Sequence, residues 1–158
     1  MGIIYSIYCC YNKAVIQEGR KCLISMPADE FYNTYLKKTI ERYHDYSIVQ
    51  KNSDAVEVVC YRRRKAYLFR YHRCSFVTVE HYEMFLNLAE KHKAKRAFYI
   101  TPGGFEHSLV KANWKSMFLM DSRIFLIDGI HLIKKIMGLR RKWSSRPKRI
   151  KMADLYML

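Results

Sequence analysis

The sequence has few acidic residues. Its 158 residues include 14 Asp and Glu against 29 Lys and Arg, which gives a formal net charge of +15 at pH 7. A protein with this charge attracts polyanions and repels other basic surfaces. Nucleic acid is therefore the leading class of partner. An anionic membrane surface is the second, because lipid headgroups attract basic residues by the same force.

Cysteine motifs are also missing. No two of the five cysteines form a Cys-x-x-Cys pair, no Cys/His cluster has zinc-site spacing, and an odd number cannot all pair within one chain. These absences argue against a zinc module or a disulfide framework and favour a reducing cytoplasmic location, nucleoid-associated, or nuclear if the source is a eukaryote. The cysteines are Cys9, Cys10, Cys22, Cys60 and Cys74.

Long apolar runs are missing as well. The apolar opening Ile3–Tyr11 is too short to span a bilayer, and no small-residue cleavage site follows a charged segment as a secretory signal requires. Met1-Gly2 with Ser6 matches the minimal myristoylation pattern, so acylation of Gly2 stays open. We expect instead an N-terminal strand or helix that packs on the core, without a membrane anchor.

Half of the residues are hydrophobic, and a chain of this length is sufficient for one buried core. We expect a single domain over residues 23–138, preceded by an apolar extension over 1–22 and followed by a basic arm over 139–158. The arm has seven cations within twelve residues and a tryptophan, Trp143, between them. This composition is typical of a partly disordered segment that follows phosphates.

Hydrophobic periodicity predicts alternating helices and strands between Pro27 and Met137. Strand–helix–strand units in the second half favour parallel pairing, and a hairpin before them supplies antiparallel pairing. We therefore predict an α/β fold with a mixed central sheet flanked by helices. The predicted helices are Pro27–Tyr43, Thr78–His92, about Phe105–Ala112 and Ile130–Met137, which Gly138 ends. The predicted strands are Tyr46–Gln50, Ala55–Tyr61, Ala66–Tyr71, Ala97–Ile100 and Ile124–Ile127.

Two stretches carry a family resemblance: Phe98-Tyr-Ile-Thr-Pro-Gly-Gly-Phe105 and Ile124-Phe-Leu-Ile-Asp-Gly-Ile-His-Leu132. With the order of the elements, they make residues 23–137 similar to the Mrr-type branch of the restriction-endonuclease-like superfamily, the PD-(D/E)xK nucleases. The resemblance implies a restriction-endonuclease-like mixed sheet and a nucleic-acid partner, with DNA favoured over RNA.

In such enzymes an Asp begins one strand and Gln or Glu, any residue, then Lys end the next, all beside a Mg²⁺ ion. Glu57, Arg70 and His72 occupy these positions here. Glu57 could still be a metal ligand, but Arg70 cannot, because a guanidinium has no acceptor atom. His72 could act as a base, since its reference pKa is about 6.5. The alternative for Glu57 and His72 is a solvated or paired acid and a hydrogen-bonded strand histidine.

The resemblance therefore favours a nucleic-acid-binding protein whose nuclease site has decayed and which needs no cofactor. One alternative is an active Mg²⁺-dependent endonuclease with Glu57 as ligand and His72 as the water-activating group. A second is a membrane-surface or protein-assembly module. Oligomeric state and sequence specificity stay open.

Twelve cations are predicted to contact phosphates, and for the hairpin tip a solvated turn is the alternative. They lie on the hairpin, on the following strand and on the arm: Arg62, Arg63, Arg64, Lys65, Arg70, Arg73, Arg140, Arg141, Lys142, Arg146, Lys148 and Arg149.

Overall fold

The computed structural model of the chain describes residues 2–109 and 123–136. Within them the fold is α/β, with one five-stranded mixed sheet and helices against both of its faces. The predicted basic arm and Gly138 lie outside the described residues. The mixed sheet flanked by helices is confirmed.

The first helix, α1, runs over Gly2–Ser25, where the sequence predicted a strand or helix packed on the core. Its second half contacts the domain, because Gly19 lies against Ile133 and the Arg20 Nε donates to the carbonyl of Pro102. The predicted boundary after residue 22 thus falls inside this helix. None of the described helices is long and apolar enough to cross a lipid bilayer.

The second helix, α2, is continuous through three segments: Ala28–Phe31, a π-helical turn over Tyr32–Leu36, and Lys37–Ile40. The predicted helix Pro27–Tyr43 is confirmed, with its end three residues earlier. Phe31, Leu36 and Ile40 are buried against the sheet. The Phe31 ring stacks on Tyr71 of the sheet at 3.8 Å between centroids.

The sheet has five strands: β1 (Asp45–Lys51), β2 (Ala55–Arg62), β3 (Lys65–His72), β5 (Ala94–Ile100) and β7 (Arg123–Ile127). They lie side by side in that order. The first two pairings are antiparallel, and the last two, β3 with β5 and β5 with β7, are parallel. Strands β2, β3 and β5 are largely buried because helices cover both of their faces.

Helix α3 (Val79–Lys91) and helix α4 (Gly129–Ile136) confirm two further predictions. Thr78 holds the N-cap position of α3, although its hydroxyl lies 3.2 Å from His81 Nδ1 and caps no backbone amide. The sequence did not predict the short parallel pair β4 (Phe76–Val77) and β6 (Gly104–Phe105). Phe105 therefore belongs to a strand, and residues 107–109 are helical after it.

The buried side chains form two clusters, one on each face of the sheet. The first joins α1, α2 and α4 to alternate sheet residues such as Val58, Phe69 and Phe98. The second joins Tyr82 and Phe85 of α3 to the intervening residues, Leu68 and Tyr99 among them. The predicted functional residues Glu57, Arg70 and His72 alternate with the first set and so lie on the α3 face.

Candidate functional site

The hairpin register brings Glu57, Arg70 and His72 together. Glu57 in β2 is directly opposite Arg70 in β3, and His72 lies two residues further along the same strand. Because side chains alternate between the faces of a strand, Arg70 and His72 point to the same side. The three positions singled out from the sequence therefore form one group on the α3 face.

Glu57 and Arg70 form a buried ion pair. Arg70 Nη1 lies 3.1 Å from Glu57 Oε1, and the two side chains are only 8% and 9% exposed. The guanidinium carbon also lies 5.2 Å from the centre of the Tyr99 ring, a cation–π arrangement. Within the described residues the buried Arg70 Nε has no hydrogen-bond partner. The Glu57 carboxylate is thus committed to a cation of the protein itself.

A Mg²⁺ ion, which the family resemblance implies, does not fit this arrangement. Mg²⁺ takes a hard oxygen shell, and here the Glu57 carboxylate is occupied by a guanidinium that would repel the ion. Among residues 2–109 and 123–136, no three acidic, His or Cys side chains are grouped to hold a metal ion.

His72 lies beside the pair as a neutral ring. Its Nδ1 shares a hydrogen bond of 2.9 Å with the Tyr99 hydroxyl. Burial, together with the nearby charges of Arg70 and His81, lowers the pKa of His72 from 6.5 to about 4. Burial raises the pKa of Tyr99, so its hydroxyl keeps its proton. His72 is therefore a much weaker base than an ordinary histidine, and Tyr99 occupies one of its nitrogens.

Cys74 and Thr101 complete the surroundings of His72. Cys74 Sγ lies 3.6 Å from both His72 Nδ1 and Thr101 Oγ1, and burial raises the pKa of the thiol. Thr101 donates to the Cys74 carbonyl at 3.2 Å and accepts from the Gly103 amide at 3.1 Å. Thr101 thus ties two loops together, and Cys74 is a protonated thiol without the features of a nucleophile.

Arg73, the other predicted phosphate contact on this part of the sheet, is also engaged. Its Nη2 lies 3.0 Å from Asp54 Oδ1, and its amide donates to the Asp54 carbonyl at 2.7 Å. Asp54 is 69% exposed at its side chain, so this pair is partly open to solvent. Both arginines next to His72 therefore already have a carboxylate partner.

The basic hairpin tip lies at the other end of the same two strands. Arg62 pairs with Lys65 across a two-residue turn made by Arg63 and Arg64. Arg62 is five positions further along β2 than Glu57, a distance of roughly 17 Å. The structure thus brings Arg70 to Glu57 and Arg73 to Asp54, and it keeps the tip apart from both pairs. The predicted contacts from Arg140 to Arg149 lie outside the described residues.

The sequence did not reveal Tyr99, Cys74 or Thr101 as neighbours of His72. Tyr99 lies on β5, which pairs in parallel with β3 so that Arg70 is opposite Tyr99. This pairing follows a helical crossover, and its register has no local signal in the sequence. The alternation in Phe98-Tyr99-Ile100 indicated only that Tyr99 faces away from its two neighbours.

Comparisons with known proteins do not assign this chain to a family. No protein-family model matches the sequence, and a search of curated proteins also finds no match.

Proposed function

We propose that this protein binds nucleic acid, DNA in preference to RNA, through a restriction-endonuclease-like domain whose nuclease site has been replaced by an internal ion pair. The observation that carries the proposal is the buried Glu57–Arg70 pair, at the positions where the resemblance implies metal ligands. An arginine there supplies positive charge from the protein itself and leaves no room for a second oxygen ligand.

The arrangement of elements supports the same family. Helix α2, the antiparallel strands β1, β2 and β3, helix α3 and the parallel strand β5 follow one another as in the resemblance. Glu57 and Arg70 lie on neighbouring strands in direct register. This order and register are the coarse requirements of that fold, and the residue exchanges then favour a domain that binds without cleaving.

The charge of the chain supports a polyanionic partner. A net charge of +15 on 158 residues is unfavourable to the compact state through self-repulsion, and a bound polyanion offsets it. Phosphate contacts supply most of the affinity in binding that is not sequence-specific. The described cations are mostly exposed, as such contacts require.

The proposal is tested by fluorescence polarisation of a labelled DNA duplex titrated with the whole protein, with a matched RNA duplex and anionic lipid vesicles as competitors. We expect saturable binding to DNA that the RNA displaces less well than unlabelled DNA does. If vesicles displace the labelled duplex at a lower phosphate concentration than unlabelled DNA does, the result would instead identify a membrane-surface protein. An unchanged polarisation at low salt would exclude nucleic-acid binding.

A further inference from the structure

Three residues of the described chain other than glycine have a positive backbone φ, and all three are cations. They are Arg63 at 50°, Arg64 at 61° and Lys93 at 48°. This region of backbone space is unfavourable for residues with a side chain, and glycine enters it freely. All three side chains are exposed, so no packing in the core accounts for the choice of arginine or lysine.

Each of these positions is one where a residue that readily takes a positive φ is favoured: asparagine, aspartate or glycine. Arg63 and Arg64 are the central pair of a two-residue hairpin, for which Asn-Gly and Asp-Gly are the preferred sequences. Lys93 follows the C-cap of α3, His92, at the position where a helix favours a left-handed glycine. A cation therefore stands at three turn positions at a cost in folding stability.

The sheet brings these two turns side by side. In the parallel pairing of β3 with β5, Ala66 is the partner of Ala94. Lys65 and Lys93 are the residues just before this pair, one on each chain segment. Adjacent strands lie about 4.8 Å apart. The pairing of Asp45 with Tyr61 adds the turn before β1 to the same end. Three connections thus meet at the end of the sheet where the parallel strands begin.

This end, which we call the basic end, comprises residues 41–45, 61–66 and 90–96. It holds nine cations and three carboxylates. No carboxylate of residues 2–109 and 123–136 forms an ion pair with Arg63, Arg64, Lys65 or Lys93. Their charge is therefore available to a partner.

The opposite end of the sheet has no such excess. Residues 51–57, 70–76, 100–106 and 127–131 hold three cations and four carboxylates, and two of those cations, Arg70 and Arg73, are in ion pairs. A polyanion is attracted where the positive potential is concentrated. The end that carries the nuclease-like residues is therefore the less favourable of the two for phosphates.

We propose that the basic end is the surface that contacts the phosphates of the nucleic acid, with Arg63, Arg64 and Lys93 as its central contacts. The inference rests on the proposed nucleic-acid binding and adds the binding surface to it. Backbone strain retained at functional residues is a known pattern, and here the strained residues are themselves the charged ones. The nucleic acid then lies roughly 17 Å from Glu57, away from the decayed site.

The test uses a turn variant and a control variant of the whole protein. The turn variant is Arg63→Asn, Arg64→Gly and Lys93→Gly, which gives both turns their favoured residues. The control variant is Lys13→Gln, Lys21→Gln and Lys134→Gln. It also removes three positive charges, but from α1 and α4, outside the basic end. Both variants are titrated against a labelled DNA duplex at several salt concentrations, and their thermal unfolding is followed.

We expect the turn variant to bind DNA at least tenfold more weakly than the wild type and the control variant to bind within threefold of it. The slope of log affinity against log salt should fall in magnitude by about 2 to 3 in the turn variant, since each lost phosphate contact removes roughly 0.9. The thermal midpoint of the turn variant should stay equal or rise, because its residues suit the turns better. Weakened binding is then not a folding defect.

Equal binding by the turn variant and the control variant, with a wild type that binds, would overturn the basic end as the surface and leave nucleic-acid binding intact. A wild type that binds no duplex would overturn the proposed function together with this inference. A thermal midpoint lowered in the turn variant would contradict the strain argument on which the choice of residues rests.

Discussion

Glu57 keeps a buried carboxylate in the sheet because Arg70 lies directly opposite it. A buried ion pair contributes little net stability, yet removal of one partner leaves an uncompensated charge. Arg70 Nε, which has no hydrogen-bond partner among residues 2–109 and 123–136, adds a further desolvation cost. The pair is therefore explained better by the need of each buried charge for its partner than by a net gain in stability.

Replacing Arg70 alone should therefore be severe. We expect Arg70→Met to lower the free energy of unfolding by about 3–5 kcal/mol, because Glu57 then stays buried without a partner. The measurement is urea unfolding followed by circular dichroism. The double variant Glu57→Leu/Arg70→Met is the matched control and should recover most of the loss. A single variant as stable as the double would show that Glu57 reaches solvent without Arg70.

His72 makes a second prediction, on pH. Its pKa of about 4 in the folded protein lies below the ordinary value of 6.5, so between these values the unfolded chain binds the additional proton. The contribution of neutral His72 to the free energy of unfolding is fully present above pH 6.5 and is lost as the pH falls towards 4. We expect the wild type to lose more stability over this window than His72→Gln does.

The comparison needs a histidine that lies outside the buried group. His44→Gln, at an exposed position, is the control and should follow the wild-type curve of unfolding free energy against pH. Parallel curves for the wild type and His72→Gln would contradict the buried, neutral state of His72.

At the scale of residues, the family resemblance singled out Glu57, Arg70 and His72, which are half of the group. The segment from Glu57 to His72 spans two strands and one tight turn, so a hairpin brings these residues together without long-range information. The partners of His72 could not be predicted, because Tyr99 and Thr101 reach it only through a parallel pairing beyond a helix. The sequence left Glu57 open as a paired acid but did not name Arg70 as its partner.

Among the elements, the loop that follows β5 has one close backbone approach to the loop after β7 and another to the loop after β3. A Cβ on Gly129 would collide with the Pro102 carbonyl, and one on Gly103 would collide with the Ser75 and Cys74 carbonyls. The Gly129 amide donates to the Gly103 carbonyl at 2.8 Å. Glycine at these two positions is what allows the loops to close over the ends of the strands.

A third prediction follows for these glycines. We expect Gly129→Ala to destabilise the fold by about 1–3 kcal/mol, because backbone atoms must move to admit the methyl group. Gly104→Ala is the control, since its Cβ would meet only ring carbons of Phe76 at 3.6 and 3.7 Å. Thermal unfolding of the two variants checks this. Equal thermal midpoints for Gly129→Ala and Gly104→Ala would mean that the loops shift freely.

Most elements could be predicted from the sequence, because β2, β5 and α3 have clear apolar periods and polar flanks. The short pair β4 and β6 could not, since two residues carry no periodicity. The full length of α1 was also missed, because the apolar run Ile3–Tyr11 is compatible with a strand or a helix. The basic hairpin tip was predicted, but its partner turn at Lys93 was not, since the two meet only through the sheet.

Over the whole molecule, charge is distributed unevenly between the two ends of the sheet. The basic end holds nine cations and three carboxylates, whereas the end with Glu57 has three cations and four carboxylates. The sequence predicted a polyanionic partner from the total charge, but not which end would attract it. The location of the charge depends on strand order, which composition does not contain.

This uneven distribution of charge predicts that the affinity for nucleic acid depends steeply on salt concentration. The affinity of the wild type for a DNA duplex should fall by at least about tenfold between roughly 50 and 200 mM salt, because each phosphate contact releases counterions. Polarisation titrations across this range measure it. An affinity that does not change with salt would point to a partner surface recognised through apolar contacts.

The most direct measurement of binding without cleavage is a plasmid-nicking assay at a protein concentration that saturates a DNA duplex, with Mg²⁺ or Mn²⁺ present. The buried Glu57–Arg70 pair predicts that the supercoiled plasmid is retained on the protein and recovered intact. Nicking that disappears both in EDTA and in Glu57→Ala would contradict this and would show that Glu57 serves a metal-dependent endonuclease.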